Sequence, residues 1–160
     1  MSTEPGAPGA STTSEQQFSI QRVYLKDASL ESPNSPMVFL KDWKPEVEVN
    51  LGASTNPQGN DHYEVIVNVT VTARSGEDTA FLVEVHQAGI FMVRGYPKDQ
   101  IDVLLGSYCP GVLFPYAREA ISDLVTKGGF PQFVLAPVNF DAIYAERQRQ
   151  RAGGSGNAPN

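Results

Sequence analysis

The stretch H-Y-E-V-I-V-N-V-T-V-T-A-R, residues 62–74, constrains the fold more than any other part of the chain. Its odd positions carry Tyr63, Val65, Val67, Val69, Val71 and Ala73. Its even positions carry His62, Glu64, Asn68, Thr70, Thr72 and Arg74, with Ile66 the one apolar exception. A period of two belongs to a strand, here with one buried face and one largely polar face. Ser75-Gly76-Glu77-Asp78 supplies turn chemistry, and residues 79–93 resume as a second strand. In that strand Phe81, Val83 and Val85 share one face, while Leu82, Ile90 and Met92 lie on the other. A strand apolar on both faces needs cover on both, or a partner.

Two strands precede this pair. Residues 46–51 set Val47, Val49 and Leu51 against Glu46, Glu48 and Asn50. Residues 18–25 are strand-like, with an alternation that slips after Ile20 and so predicts a bulge or bend. Between them, residues 31–45 (E-S-P-N-S-P-M-V-F-L-K-D-W-K-P) hold three prolines, which exclude helix and interior strand. Yet this connection carries Met37, Val38, Phe39, Leu40 and Trp43, an unusual apolar load for a loop.

After Gly95 the period becomes helical. Ile101, Leu104, Leu105, Tyr108, Val112, Tyr116, Ala120 and Leu124 form a stripe, with Gly128-Gly129 as the stop. Pro110 and Pro115 predict a short helix, a break, and a longer helix to about Lys127. Asn139 as N-cap, with Asp141 in the first turn, opens a last helix through Ile143, Tyr144 and Arg147. Four strands followed by helices predict an α+β fold, a four-stranded antiparallel sheet with helices on one face. Residues 1–16 and 152–160 are Gly/Ala/Ser/Pro-rich and read as disordered tails, leaving 17–151 as one folded body.

The net charge of −6 argues against a nucleic-acid partner, and Arg147, Arg149 and Arg151 read as a solvated helix end. One cysteine forms no internal disulfide, which suits a reducing cytosol. The first residues show no basic region followed by an apolar one, and no apolar run approaches the ~20 residues of a membrane span. A cytoplasmic protein, not inserted in a membrane, is expected.

Cys109 has no neighbouring base, and Arg118, the nearest strong cation, stands nine residues on. The thiol therefore reads as packing, against the alternative of a thiol enzyme. His62 and His86 share the polar parity of neighbouring strands and could approach one another, but no cysteine or acidic motif around them has metal-ligand spacing. Asp99/Asp102 and Glu119/Asp123 read as solvated helix faces, and phosphate-loop and nucleophile-elbow motifs are missing. Nothing supports an enzyme or a cofactor. Two surfaces remain. Glu46, Glu48, Glu64 and Glu84 lie on polar parities, with Asp27 and Glu31 at the end of the first strand; they dock a basic partner or merely solubilise the sheet. Phe39, Leu40 and Trp43 form a binding surface, or pin their loop onto the core.

Over residues 18–144 the chain resembles SecB, the bacterial protein-export chaperone family. The likeness rests on F-S-I-Q-R-V-Y-L-K-D, K-D-W-K-P-E-V, Y-E-V-I-V-N-V-T-V-T-A, E-D-T-A-F-L-V-E-V, Y-C-P-G-V-L-F-P-Y-A-R-E and L-A-P-V-N-F-D-A. The basic end at Arg147–Arg151 departs from the family's less basic tails. The resemblance implies a homotetramer, a dimer of dimers with sheets joined edge to edge and helices sandwiched between dimers. It implies ATP-independent holding of unfolded secretory precursors. Phe39 and Trp43 of a crossover loop with Phe140 and Tyr144 of the last helix would line the client groove, with Met37, Leu40 and Val47 as lesser members. Asp27, Glu31, Leu82 and Glu84 would dock the basic, zinc-containing C-terminal segment of the motor SecA, the zinc belonging to that partner. An alternative within the same fold is a chaperone dedicated to an antitoxin client.

Overall fold

The computed structural model describes residues 15–154. Four antiparallel strands, β1 (Gln17–Glu31), β2 (Pro45–Gly59), β3 (His62–Ser75) and β4 (Asp78–Arg94), form one sheet in the order β1-β4-β3-β2. The most apolar strands are therefore central and the two polar ones are edges. Residues 32–44 connect the edges. Helices α1 (Lys98–Val103), α2 (Cys109–Lys127) and α3 (Phe140–Gly154) follow, with a π-helical turn at Leu104–Tyr108 between the first two.

On β3 the alternation holds as expected: Val65, Val67, Val69, Val71 and Ala73 are fully buried. They pair across β4 with Gly89, Gln87, Val85, Val83 and Phe81 and make the sheet side of the core. The slip in β1 resolves into two bulges, at Gln21 and Lys26, where the register with β4 shifts. Each bulge resets the parity. Val23, Leu25, Ala28 and Leu30 stay opposite inward residues of β4, and Arg22, Tyr24, Asp27, Ser29 and Glu31 opposite outward ones. Strand β2 runs eight residues beyond the expected 46–51, to Gly59. Pro57 is tolerated because an edge strand leaves one side without ladder bonds. Asn60 and Asp61, at φ 52 and 60, then close a tight hairpin into β3.

In the helical layer the expected stripe is displaced by one residue. The side chains fully buried against the sheet are Cys109, Leu113, Ala117, Ile121 and Val125, spaced four apart, while Tyr108 and Tyr116 are about half exposed. Small Cys109 and Ala117 let α2 lie close to the sheet. Gly89 beneath it has little room for a Cβ, which would come 2.9 Å from the Phe91 ring and 3.1 Å from both Leu113 and the Arg22 carbonyl. The expected interruption at Pro115 does not occur. Pro110 falls in the first turn, where its missing N–H is harmless, and Pro115 lies on the exposed side of a continuous helix. The expected break is not found: α1 passes into α2 through the π-helical turn without leaving helical backbone geometry. Asn139 caps α3 as expected, its Oδ1 accepting the backbone N–H of Ala142 at 3.0 Å. Helix α3 runs to Gly154, three residues into the segment expected as a tail, because Arg151 and Ala152 continue a helix already formed. Tail residues 1–14 and 155–160 lie outside the described residues.

Candidate functional site

The connecting segment is tied down at one side and open on the other. A single 3₁₀ turn, Met37–Leu40, follows Pro36; the prolines exclude an α-helix but not one tight turn. Asn34 Nδ2 donates to the carbonyl of Thr79 at 2.9 Å, Ser32 Oγ to that of Ala80 at 3.2 Å, and Lys41 pairs with Asp78 at 2.7 Å. The segment is thereby fastened to the β3–β4 turn. Val38 is buried in the core. The rings of Phe39 and Trp43 lie 5.0 and 5.6 Å from Phe130, which in turn lies 5.0 Å from Phe81 of β4. The upper surfaces remain open: Met37 is 57% exposed, Phe39 47%, Leu40 78% and Trp43 36%. The loop is pinned from below, as one of the two readings expects, and its upper side is open and apolar.

This ledge continues onto β2. Val47 pairs with inward Ala73, and Val49 with inward Val71. Both face the helix side of the sheet, yet they remain 41% and 45% exposed. Five of the seven residues expected in a client groove, Met37, Phe39, Leu40, Trp43 and Val47, thus share one region. Phe140 and Tyr144 do not join them. Phe140 lies against Phe114, about 20 Å along the axis from the Lys127 end of α2 that precedes Phe130, and Tyr144 lies against Gly106, just before α2 begins. Phe140 is a core residue, 7% exposed and edge-on to Phe114 at 5.8 Å, apart from the open ledge. Tyr144 is half-buried, its ring against Gly106, and lines an open cavity of about 650 Å³ with Tyr96, Val103, Leu104 and Arg151. The residues missed are Phe130 and Val49. The G-G-F sequence at 128–130, an apolar ring straight after a helix stop, was the available signal.

The acidic residues divide as well. Register places Asp27 opposite His86, Ser29 opposite Glu84 and Glu31 opposite Leu82, all on the sheet face away from the helices. Asp27, Glu31, Leu82 and Glu84 therefore form one corner across β1 and β4. His86 Nε2 lies 2.8 Å from Glu84 Oε1 within it. Glu64, expected on the same acidic face, is instead buried and paired with Lys26. Its carboxylate accepts hydrogen bonds from the Tyr24 hydroxyl, from Lys26 Nζ at 3.0 Å and from Asn56 Nδ2 at 3.4 Å. These hydrogen bonds, Tyr24's first and then Lys26's, hold it below the usual carboxylate range.

Burial pushes the Cys109 thiol up to about 12, and its side chain is fully enclosed. Nine residues of helix set Arg118 about 13 Å along the axis from it. Cys109 is a packing thiol. The two histidines do not meet: His62 pairs with Met92 and His86 with Asn68, six residues or about 20 Å apart along β3. Among the described residues no three metal-capable side chains gather, and no helix is long and apolar enough to cross a membrane.

A family model described as preprotein translocase subunit SecB matches residues 11–151. The chain belongs to the SecB family. A protein-export protein SecB from Nitrosococcus oceani is 56% identical over 145 residues, 87% of this chain and 88% of that one. Relatives of the same name from Psychrobacter arcticus and Marinobacter nauticus are 52% and 49% identical, covering 88% and 96% of this chain and 95% of each relative. The function is that of a SecB protein-export chaperone. Among solved structures, a Mycobacterium tuberculosis SecB-like chaperone, Rv1957, in complex with a peptide from the Rv1956 HigA1 antitoxin has a TM-score of 0.57 at 14% identity. The match covers 76% of this chain and 87% of that one. At that identity the likeness is one of fold, and it places this α+β architecture within the SecB-like group.

Proposed function

We propose that this SecB-family chaperone works in the cytoplasm, holding unfolded secretory precursors without ATP on the ledge of Met37, Phe39, Leu40, Trp43 and Val47, extended by Val49. The observation that carries this reading is an apolar surface kept open while its underside is anchored on Phe130. Unfolded chains offer extended apolar stretches that such a surface takes without reading sequence, and folded clients bury them. Tyr144, at the far end of α2, extends the path only if a client runs the length of the helical layer.

The working form is a tetramer, a dimer of dimers. Val103, Tyr108 and Tyr116 are each about half exposed. A second layer of helices would cover them, and edge strands β1 and β2 offer unpaired backbone for joining sheets. Several ledges on one particle raise avidity for a single long client.

The corner of Asp27, Glu31, Leu82 and Glu84 docks the basic C-terminal segment of SecA, combining three carboxylates with an apolar centre. The first test dilutes a denatured secretory precursor into the protein without ATP, beside the same precursor already folded; capture of neither form overturns the holding reading. Glu84→Lys is expected to abolish SecA binding and to spare precursor capture. Equal loss of both would show that the corner is structural.

A further inference from the structure

Resting on the reading of that corner as a dock for a basic segment, we propose that His86 is its positioning and charge-setting residue. It makes engagement of the basic partner depend on the proton that the imidazole carries. His86 and Glu84 are two residues apart on β4, on the same face, with side chains 31% and 46% exposed and joined at 2.8 Å. The groups facing the imidazole are few. From β1, Asp27 stands directly opposite it, with Ser29 and Glu31 further along on one side and Tyr24, opposite Ala88 and bonded to Glu64, on the other. From β3, Asn68 stands opposite His86 and Thr70 opposite Glu84, and neither titrates. Lys26, the nearest base on β1, is committed to Glu64.

A neutral imidazole donating Nε2–H to Glu84 fixes that carboxylate and leaves the corner its full negative charge. Protonation sets a positive charge between Glu84 and Asp27 and gives Nδ1 a hydrogen to donate. An acceptor stands ready on the neighbouring strand: Asn68 Oδ1 is buried and, among the described residues, has no partner. Cross-strand partners lie close enough for side chains to meet. The charged imidazole is thus accommodated by the sheet while it opposes a cationic partner. Histidine is the side chain that ordinarily exchanges a proton between pH 5 and 8, and that interval is the one to test.

The test titrates the zinc-loaded C-terminal segment of SecA, as a synthetic peptide, into the full chain from about pH 8 to about pH 5.5. Wild type is compared with His86→Gln, which keeps a donor for Glu84 and cannot take up charge. The peptide's own protonation is common to both proteins and cancels in the ratio of affinities. One like charge near the contact in a water-like medium predicts that the wild-type to variant ratio falls about fivefold over this range. A ratio that stays constant overturns the proposal. Failure of wild type to bind at the upper pH instead removes the docking reading beneath it. As an independent check, bound peptide is expected to move the His86 imidazole's NMR protonation midpoint to lower pH. An unmoved midpoint also overturns the proposal.

Discussion

Replacing Phe130 by alanine probes how the apolar ledge is supported. Phe130 is 5% exposed, with ring centroids 5.0 Å from Phe39, 5.0 Å from Phe81 and 5.6 Å from Trp43. Truncating a buried phenylalanine costs about 3–5 kcal/mol. Three ring neighbours, each pair adding about 0.5–1.5 kcal/mol beyond its buried area, put this site near 4 kcal/mol. With a urea slope of roughly 2 kcal/mol per molar, the midpoint moves down by about 2 M at fixed protomer concentration. Phe130→Leu keeps most of the volume and costs about 1 kcal/mol. Precursor capture should weaken sharply in the alanine variant and modestly in the leucine variant, because Phe39 and Trp43 lose the ring that orients them. A double-mutant cycle with Trp43→Ala should show about 1 kcal/mol of coupling. Additive effects, or an alanine variant destabilised by less than about 1 kcal/mol, would refute the reasoning.

Other outcomes follow from the ionisable groups. Glu64 is held below its ordinary value of 4.5, so its stabilising share is present above that pH and is lost as pH falls through the lower folded value. Glu64→Gln should flatten the acid limb of a stability–pH profile, and an unchanged limb would contradict the network. Tyr24 is raised to about 12, chiefly by burial and then by its bond to Glu64. Its share therefore holds below its ordinary value of 10.0 and is lost as pH rises towards 12, a decline that Tyr24→Phe should remove. Cys109, enclosed and pushed up to about 12, should be alkylated at least ~100-fold more slowly in the folded than in the urea-unfolded chain. Rapid labelling of the folded protein would show that α2 opens.

The strands and the cap were legible because their signals are local. Period two on β3 needs no knowledge of neighbours, and neither does Asn139 at a helix start. The second half of β2 was not legible. Residues 56–61, N-P-Q-G-N-D, have the composition of a loop, and only pairing with Glu64, Tyr63 and His62 makes most of them strand and turn. The buried stripe of α2 was misplaced because Tyr108 and Tyr116 outweigh Cys109 and Ala117 in any hydrophobic count. Close packing of the helix on the sheet encloses the two small residues and leaves the tyrosine rings half exposed.

Two surfaces show where the sequence stopped. By itself it determined an α+β chain, an apolar connecting segment, an acidic strand end and, through long matching strings, membership of the SecB family. Tertiary structure alone decided which members of each set act together. It joined Phe39 and Trp43 through Phe130, far along the chain, and withdrew Phe140 into the core. It buried Glu64 under Tyr24 and Lys26, and brought Asp27 and Glu31 beside Glu84 and His86 through two bulges. The physical reason is common to all four. Periodicity tells which face a side chain takes, but register, bulges and close packing decide what stands across from it.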